Sequence, residues 1–122
     1  MKTIHKKTLL YKRIDNSIIV SIKYTNSLNI INSNGIEEEL RQFINNGETS
    51  IFLDFSKMKF IDTAGFQVLL SVHIDAKLNK VEFVILNANE EVLELFNLVE
   101  LNNVFDLRNN LDSRYKMFRK AS

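Results

Sequence analysis

Two apolar runs open the chain, "TLLYKRI" from Thr8 and "SIIVSIKY" from Ser17, with "DNS" at 15–17 between them. Runs rich in β-branched residues around a short polar turn predict two strands joined as a hairpin. In the next stretch, "NSNGIEEELRQFINNG", Ile36, Leu40, Phe43 and Ile44 recur at helical spacing. That spacing places Glu37 to Glu39 in the first turns, where the helix dipole favours acids, and makes Gly47 a helix stop. "SIFLDF" is a nearly continuous apolar run, as expected of a strand buried on both faces. A helical pattern then runs from Thr63 to Leu78, with Asn79 as a left-handed cap. "EFVIL" reads as a second buried strand, and "NEEVLELFNL" as a short helix capped by Asn89 with Glu90 and Glu91 in its first turn. "NNVFDL" reads as a last strand, and 108–122 as a C-terminal helix or tail with Leu111, Tyr115 and Phe118 on one side.

Strands that alternate with helices are usually parallel, joined by right-handed crossovers, whereas the hairpin makes the first strand antiparallel and puts it at the edge. The expected fold is therefore α/β, a mixed four- to five-stranded sheet with helices packed on it. A chain of 122 residues supplies one such domain and is too short for two. Proline is absent and glycine occurs three times, so Asn takes over much of the turn chemistry.

Composition narrows the function. Cysteine is absent, which excludes disulfides and thiolate metal sites, and the two histidines, His5 and His73, are far apart. No metal site, cofactor or His-based triad is expected. Residues 1–13 carry five bases and no acid, and 108–122 carry five bases and one acid. The stretch 14–107 between them has six bases against fourteen acids, a net of −8. An acidic body argues against nucleic acid as the main partner, because phosphate binding needs a basic folded face. No apolar run approaches the roughly 18 residues of a membrane span, and the basic N-terminal stretch lacks the apolar core of a secretory signal. A cytoplasmic protein without direct membrane insertion is the expectation.

Candidate chemistry concentrates in "FIDTAGF", Phe60 to Phe66. Asp62 directly precedes a helix, and its carboxylate can accept hydrogen bonds from the unpaired N–H groups of the first turn. Thr63, β-branched and already preceded by a capping group, is less easily explained by structure alone. A phosphate there would meet free N–H groups and the positive end of the helix dipole, and would repel a partner seated over that end. Downstream, Gly65, Val68, Leu69, Val72 and Ala76 share one apolar face, suited to the sheet. Phe66, Leu70 and Ile74 form a second stripe, either covered by a neighbouring helix or left as a docking surface beside Thr63. Asp54 ends a strand as the phosphorylated aspartate of receiver domains does, but the acidic pair and late lysine those domains need are missing. No Gly-rich phosphate loop and no nucleophile elbow is present, so nothing selects a catalytic set.

"IFLDFSKMKFIDTAGFQVLL" resembles the signature of the STAS domain family, of the anti-sigma-factor antagonist type. That signature is an apolar strand, a few polar residues, an apolar pair, then Asp-Ser/Thr-Ser/Ala-Gly-Leu and an apolar helix. The likeness continues through "KVEFVILNANEEVLELFNLVELNNVFDL" and is most specific over 51–107, within a single domain of residues 1–122.

The resemblance implies a protein-binding switch and no enzyme. The partner would be an anti-sigma factor that is also a serine/threonine kinase, and binding it would free a sigma factor for transcription. A metal-dependent serine/threonine phosphatase would reset the switch, and a homodimer stays open. By position, Thr63 matches the phosphoacceptor. Asp62, Ala64, Gly65 and Phe66 match the partner-binding surface around it, extended by Leu70 and Ile74. The chain departs from the family pattern in "NSLN", where Asn29 stands in place of a partner-binding Asp, and in Lys80-Val81, which replace a common Gly-Gly. The family's other roles keep an alternative open, a constitutive accessory or scaffold subunit of a lipid-transport ABC system or a stress complex.

Overall fold

The computed structural model describes residues 3–109. The elements run β1 (Ile4–His5), β2 (Leu9–Ile14), β3 (Ser17–Ile22), β4 (Ser27–Leu28), α1 (Ser33–Asn45), β5 (Ser50–Asp54), β6 (Phe60–Ile61), α2 (Thr63–Leu78), β7 (Glu82–Leu86), α3 (Glu90–Leu98) and β8 (Asp106–Arg108). Six strands form one sheet in the order β1-β2-β3-β5-β7-β8, and β4 pairs with β6 in a separate two-stranded sheet. β2 runs antiparallel to both of its neighbours, β1 and β3, while β3, β5, β7 and β8 are parallel. The mixed α/β architecture agrees with the sequence, and the hairpin turns through Asp15, whose left-handed φ of 53° is one that Asp tolerates.

Several local expectations are corrected. The sheet has six strands, and the edge belongs to β1, which pairs Ile4 with Tyr11 outside the hairpin. α1 begins at Ser33, so Glu37 to Glu39 lie beyond its first turn. Glu39 instead turns inward and accepts hydrogen bonds from the Thr8 N–H, at 2.9 Å to Oε2, and from the Thr8 hydroxyl. It thereby ties the β1–β2 connection to α1. After α2 the left-handed residue is Lys80, with φ 58°, one position later than expected. Asn79 keeps φ −98° and donates its side-chain amide to the Asp75 carbonyl at 2.8 Å. The last strand starts at Asp106. The expected C-terminal helix, with Leu111, Tyr115 and Phe118, lies outside the described residues.

The main core lies between one face of the sheet and the helices. Ile36, Leu40, Phe43 and Ile44 of α1 and Val68, Leu69, Val72 and Ala76 of α2 meet Val20, Ile51, Leu53 and Ile85 there. Burying each large side chain stabilises the fold by about 1.5–3 kcal/mol, so these two apolar faces fix both helices. α1 and α2 are further joined by polar contacts. Arg41 pairs with Glu37 at 2.9 Å and with Asp75 at 3.4 Å, and the Ser71 hydroxyl donates to Glu37 at 2.7 Å. The Ser71 bond, opposed by burial and seconded by Arg41, holds the Glu37 carboxyl below its ordinary range. Among the described residues no helix is long and apolar enough to cross a membrane.

Candidate functional site

α2 starts where its sequence dictates. Asp62 is extended, at φ −94° and ψ −176°, and its Oδ1 accepts from the Gly65 N–H at 2.9 Å, an N-cap bond. Its second oxygen, Oδ2, accepts from the Ile30 N–H at 3.0 Å. Its own N–H donates to the Leu28 carbonyl at 3.1 Å. One residue thus joins β4, the β4–α1 loop and the first turn of α2.

The small β4–β6 sheet sets this corner. Ser27 pairs with Phe60 and Leu28 with Ile61, so the backbone of β4 lies against the start of α2. Gly65 permits that approach: a Cβ there would meet the Leu28 carbonyl oxygen at 2.6 Å and Ile61 Cγ2 at 2.8 Å. Gly65 is buried, which corrects its assignment to a partner-facing surface: it serves close packing beneath that surface.

Thr63 stands exposed at the first position of α2, and its hydroxyl has no hydrogen bond among the described residues. Gly65 N–H is taken by Asp62, whereas the helix itself has no carbonyl to offer the N–H groups of Thr63 and Ala64. The hydroxyl, those N–H groups and the positive end of a 16-residue helix therefore converge on one exposed spot. Ala64 is half-buried and lines a groove of about 290 Å³ between α1 and α2, with Ile30, Asn34, Glu37, Gln67 and Ser71.

Asn29 is drawn into the same corner, and its side chain works inside its own loop. Asn29 Oδ1 accepts from the Ile31 N–H at 2.9 Å, and its amide donates to Ser27 Oγ at 3.0 Å. Asn32 answers by accepting from the Asn29 N–H at 2.9 Å and donating to the Ser27 carbonyl at 2.7 Å. The two asparagines hold the loop in one shape, and that loop presents Ile30, 71% exposed, and Ile31, 90% exposed. Phe60, 51% exposed, stands on the adjoining strand, two and three residues before Asp62 and Thr63.

Sequence reasoning missed Ile30, Ile31 and Phe60. The signal was present, since two adjacent isoleucines inside an Asn-rich loop have no core to serve, but it carries no periodicity. The stripe Phe66, Leu70 and Ile74 is not one surface. Phe66 is buried, edge-on to Phe96 of α3 at 5.1 Å, which corrects its assignment as a docking residue. Leu70 is half-buried against the core, and Ile74 alone is exposed. Asp54 stands apart from this corner and accepts from the Ser56 N–H at 2.9 Å. Among the described residues no three His, Cys, Asp or Glu side chains are grouped to hold a metal ion.

Comparison with known proteins gives a consistent picture. The family described as STAS domain matches residues 10–114. A relative from Bordetella bronchiseptica, described as a candidate anti-sigma factor antagonist, BtrV, is 25% identical over 113 residues, covering 93% of this chain and 96% of that protein. A candidate anti-sigma factor antagonist of Thermotoga maritima superposes with a TM-score of 0.75 at 22% identity, over 89% of this chain and 92% of that one. The anti-sigma factor antagonist SpoIIAA in its unphosphorylated form superposes with a TM-score of 0.66 at 13% identity, over 93% of this chain and 98% of that one. The Bacillus SpoIIAA in the phosphorylated form gives 0.65 at 14%, over 92% and 98%. At these identities the solved structures establish the shared fold.

Proposed function

The chain belongs to the STAS domain family, and on that premise we propose that it is an anti-sigma-factor antagonist, a protein-binding switch operated by phosphorylation of Thr63. The observation that carries this reading is the exposed Thr63 hydroxyl at the N-terminus of α2, beside the carboxylate of Asp62 and next to the exposed side chains of Ile30, Ile31 and Phe60. The apolar side chains give a partner something to bury, and Thr63 gives a kinase a place to stop it.

Unmodified, the corner docks an anti-sigma factor with serine/threonine kinase activity, and a sigma factor is freed. A phosphate on Thr63 brings close to two negative charges at pH 7. The helix end tolerates them, because its N–H groups and dipole favour an anion. A partner seated there does not, since the charge arrives beside Asp62 and must be desolvated in the interface. Removal of the phosphate by a metal-dependent phosphatase restores docking. This chain contributes binding and a hydroxyl, and the phosphoryl chemistry belongs to its partners, acting in the cytoplasm. The curated relative from Bordetella, covered almost end to end, supports the antagonist role over other STAS roles.

The test is phosphorylation and binding with the cognate kinase, found by pull-down with the full chain. Incubation with that kinase and ATP is expected to put one phosphate on Thr63, located by mass spectrometry. Thr63→Glu should weaken binding at least tenfold while Thr63→Ala blocks modification. Phosphate at another residue, binding indifferent to Thr63→Glu, or recovery of a transporter ATPase instead of a kinase would overturn the reading. The last of these would favour a constitutive accessory subunit.

A further inference from the structure

Two of the three glycines follow an asparagine, in Asn34-Gly35 and Asn46-Gly47. Such a pair carries its own chemistry. The glycine backbone nitrogen, once it has lost its proton to hydroxide, can attack the asparagine side-chain carbon Cγ, because glycine has no side chain to obstruct the approach. A five-membered imide closes as the Cγ–Nδ2 bond breaks, and the departing NH2 group takes a proton from water and leaves as ammonia. Water then opens the imide at either carbonyl. One opening leaves Asp, and the other leaves isoaspartate, in which the chain runs through the former side chain. The sequence offers both pairs equally, and the fold treats them differently.

Asn34 and Gly35 lie in the first turn of α1. The residues on either side, Ser33 and Ile36, are both buried. Gly35 is closely packed, since a Cβ there would meet Thr8 Cγ2 at 3.2 Å. Turning the 34–35 peptide to bring its nitrogen onto Cγ would unwind the start of α1 and draw Ile36 out of the core. Asn46 is instead the C-cap of α1. Its N–H donates to the Gln42 carbonyl at 2.9 Å, while its side chain is exposed and has no hydrogen bond among the described residues. Gly47 is exposed at a left-handed φ of 84°, and a Cβ there would meet nothing within 4 Å. Its nitrogen, the nucleophile, is held only through an N–H to the Ile44 carbonyl at 3.3 Å, long for such a bond. The Glu48 N–H reaches the Phe43 carbonyl only at 3.5 Å, and the next short tie is Thr49 N–H to the Asn16 carbonyl at 2.7 Å. The 46–47 peptide can therefore turn while α1 and β5 stay in place.

We propose that Asn46 is a site of intramolecular deamidation, which converts to isoaspartate and Asp as the molecule ages while Asn34 persists. The product carries a carboxylate at the C-terminal end of α1, where the helix dipole disfavours it. It also stands two residues from the buried Glu48, whose carboxylate is bonded to Arg13 of β2. The new charge and the lengthened backbone bear on the joint between the hairpin and β5, so the converted chain is less stable. The Thr63 corner adjoins the other end of α1, about 20 Å away along thirteen helical residues. Failure of this inference would leave the proposed function untouched.

The test incubates freshly purified full-length protein at neutral and at mildly alkaline pH, then maps its peptides by mass spectrometry after digestion in mild acid. The NH2-to-OH mass increase is expected at Asn46, at least tenfold faster than at Asn34 and faster at the higher pH. Labelling by an isoaspartyl methyltransferase should locate isoaspartate at the same position. In urea, where the fold no longer discriminates, both asparagines should convert at similar rates. Gly47→Ala should slow conversion at Asn46 at least tenfold. Alanine is strained at that φ, and if the variant does not fold, the native comparison of Asn46 with Asn34 decides alone. Conversion of Asn34 as fast as Asn46 in the folded chain overturns the inference. So does an intact Asn46 in the folded chain at a time when the urea-unfolded chain has converted.

Discussion

The Asp62 carboxylate and the Ile30 backbone lie 32 positions apart in the chain and 3.0 Å apart in the fold. The residue that caps α2 is therefore also the clasp of the loop bearing the exposed isoleucines. Losing an N-cap acceptor typically costs about 0.5–2 kcal/mol. Asp62→Ala should lower stability by that amount in urea unfolding and speed amide exchange at both Gly65 and Ile30. Asp62→Asn keeps one carbonyl oxygen and should preserve protection at one of the two amides. Unchanged exchange at Ile30 in the alanine variant would sink the clasp.

Gly65 and Gly35 give a matched pair. Alanine at 65 places a methyl group 2.6 Å from the Leu28 carbonyl oxygen, a backbone atom held by strand pairing. Overpacking of this kind costs about 1–3 kcal/mol, more than the roughly 1 kcal/mol that Ala gains over Gly in a helix. At 35 the nearest atom is the Thr8 methyl at 3.2 Å, the end of a side chain that can move. Gly65→Ala is expected to be clearly destabilised and Gly35→Ala close to wild type, as read from urea midpoints.

What the sequence made legible, and what it hid, follows from range. α2, α3, β5 and β7 announce themselves because five or more residues repeat one local preference, and Asp62 and Asn89 are caps whose partners lie three residues on. β1, β4 and β6 are two residues each and exist only through their pairing partners. Gly65 looked like part of the partner-binding surface around Thr63, yet its reason is a strand more than thirty residues earlier. The stripe through Phe66, Leu70 and Ile74 is real as a spacing. Which part of it α3 covers depends on where Phe96 lands, and that is set by tertiary packing.

Acidification should weaken the fold in two steps. Burial, helped by Lys77, holds the His73 imidazole below its ordinary 6.5. The unfolded chain then takes up the proton first, so the stability tied to the neutral ring is complete above 6.5 and declines as pH falls from there to the lowered folded value. Glu37, held below 4.5 chiefly by Ser71, behaves likewise from 4.5 downward. His73→Phe, which keeps an aromatic ring against Phe105, should flatten the loss between pH 7 and 5 and leave the lower step. Ser71→Ala should reduce the lower step and leave the upper one. Thermal unfolding measured at half-unit pH intervals separates the two.

Phe66 and Ile31 should divide stability from binding. The Phe66 ring sits in the core against Phe96, and truncating such a side chain costs about 3–5 kcal/mol. Ile31 is almost wholly exposed, and surface substitutions of that kind change stability by only about ±0.5 kcal/mol. If the loop and Phe60 form the docking surface beside Thr63, the costs reverse once a partner is present. An exposed apolar side chain that becomes buried in an interface centre is worth more than 1 kcal/mol on truncation. Ile31→Ala and Phe60→Ala should then keep the wild-type urea midpoint and weaken capture of the cognate kinase by about fivefold or more each. Phe66→Ala should lose stability first, with binding falling only in proportion to the folded fraction. Should Ile31→Ala and Phe60→Ala both bind at wild-type strength, the partner does not use the face beside Thr63, and the phosphate there would have no interface to disrupt.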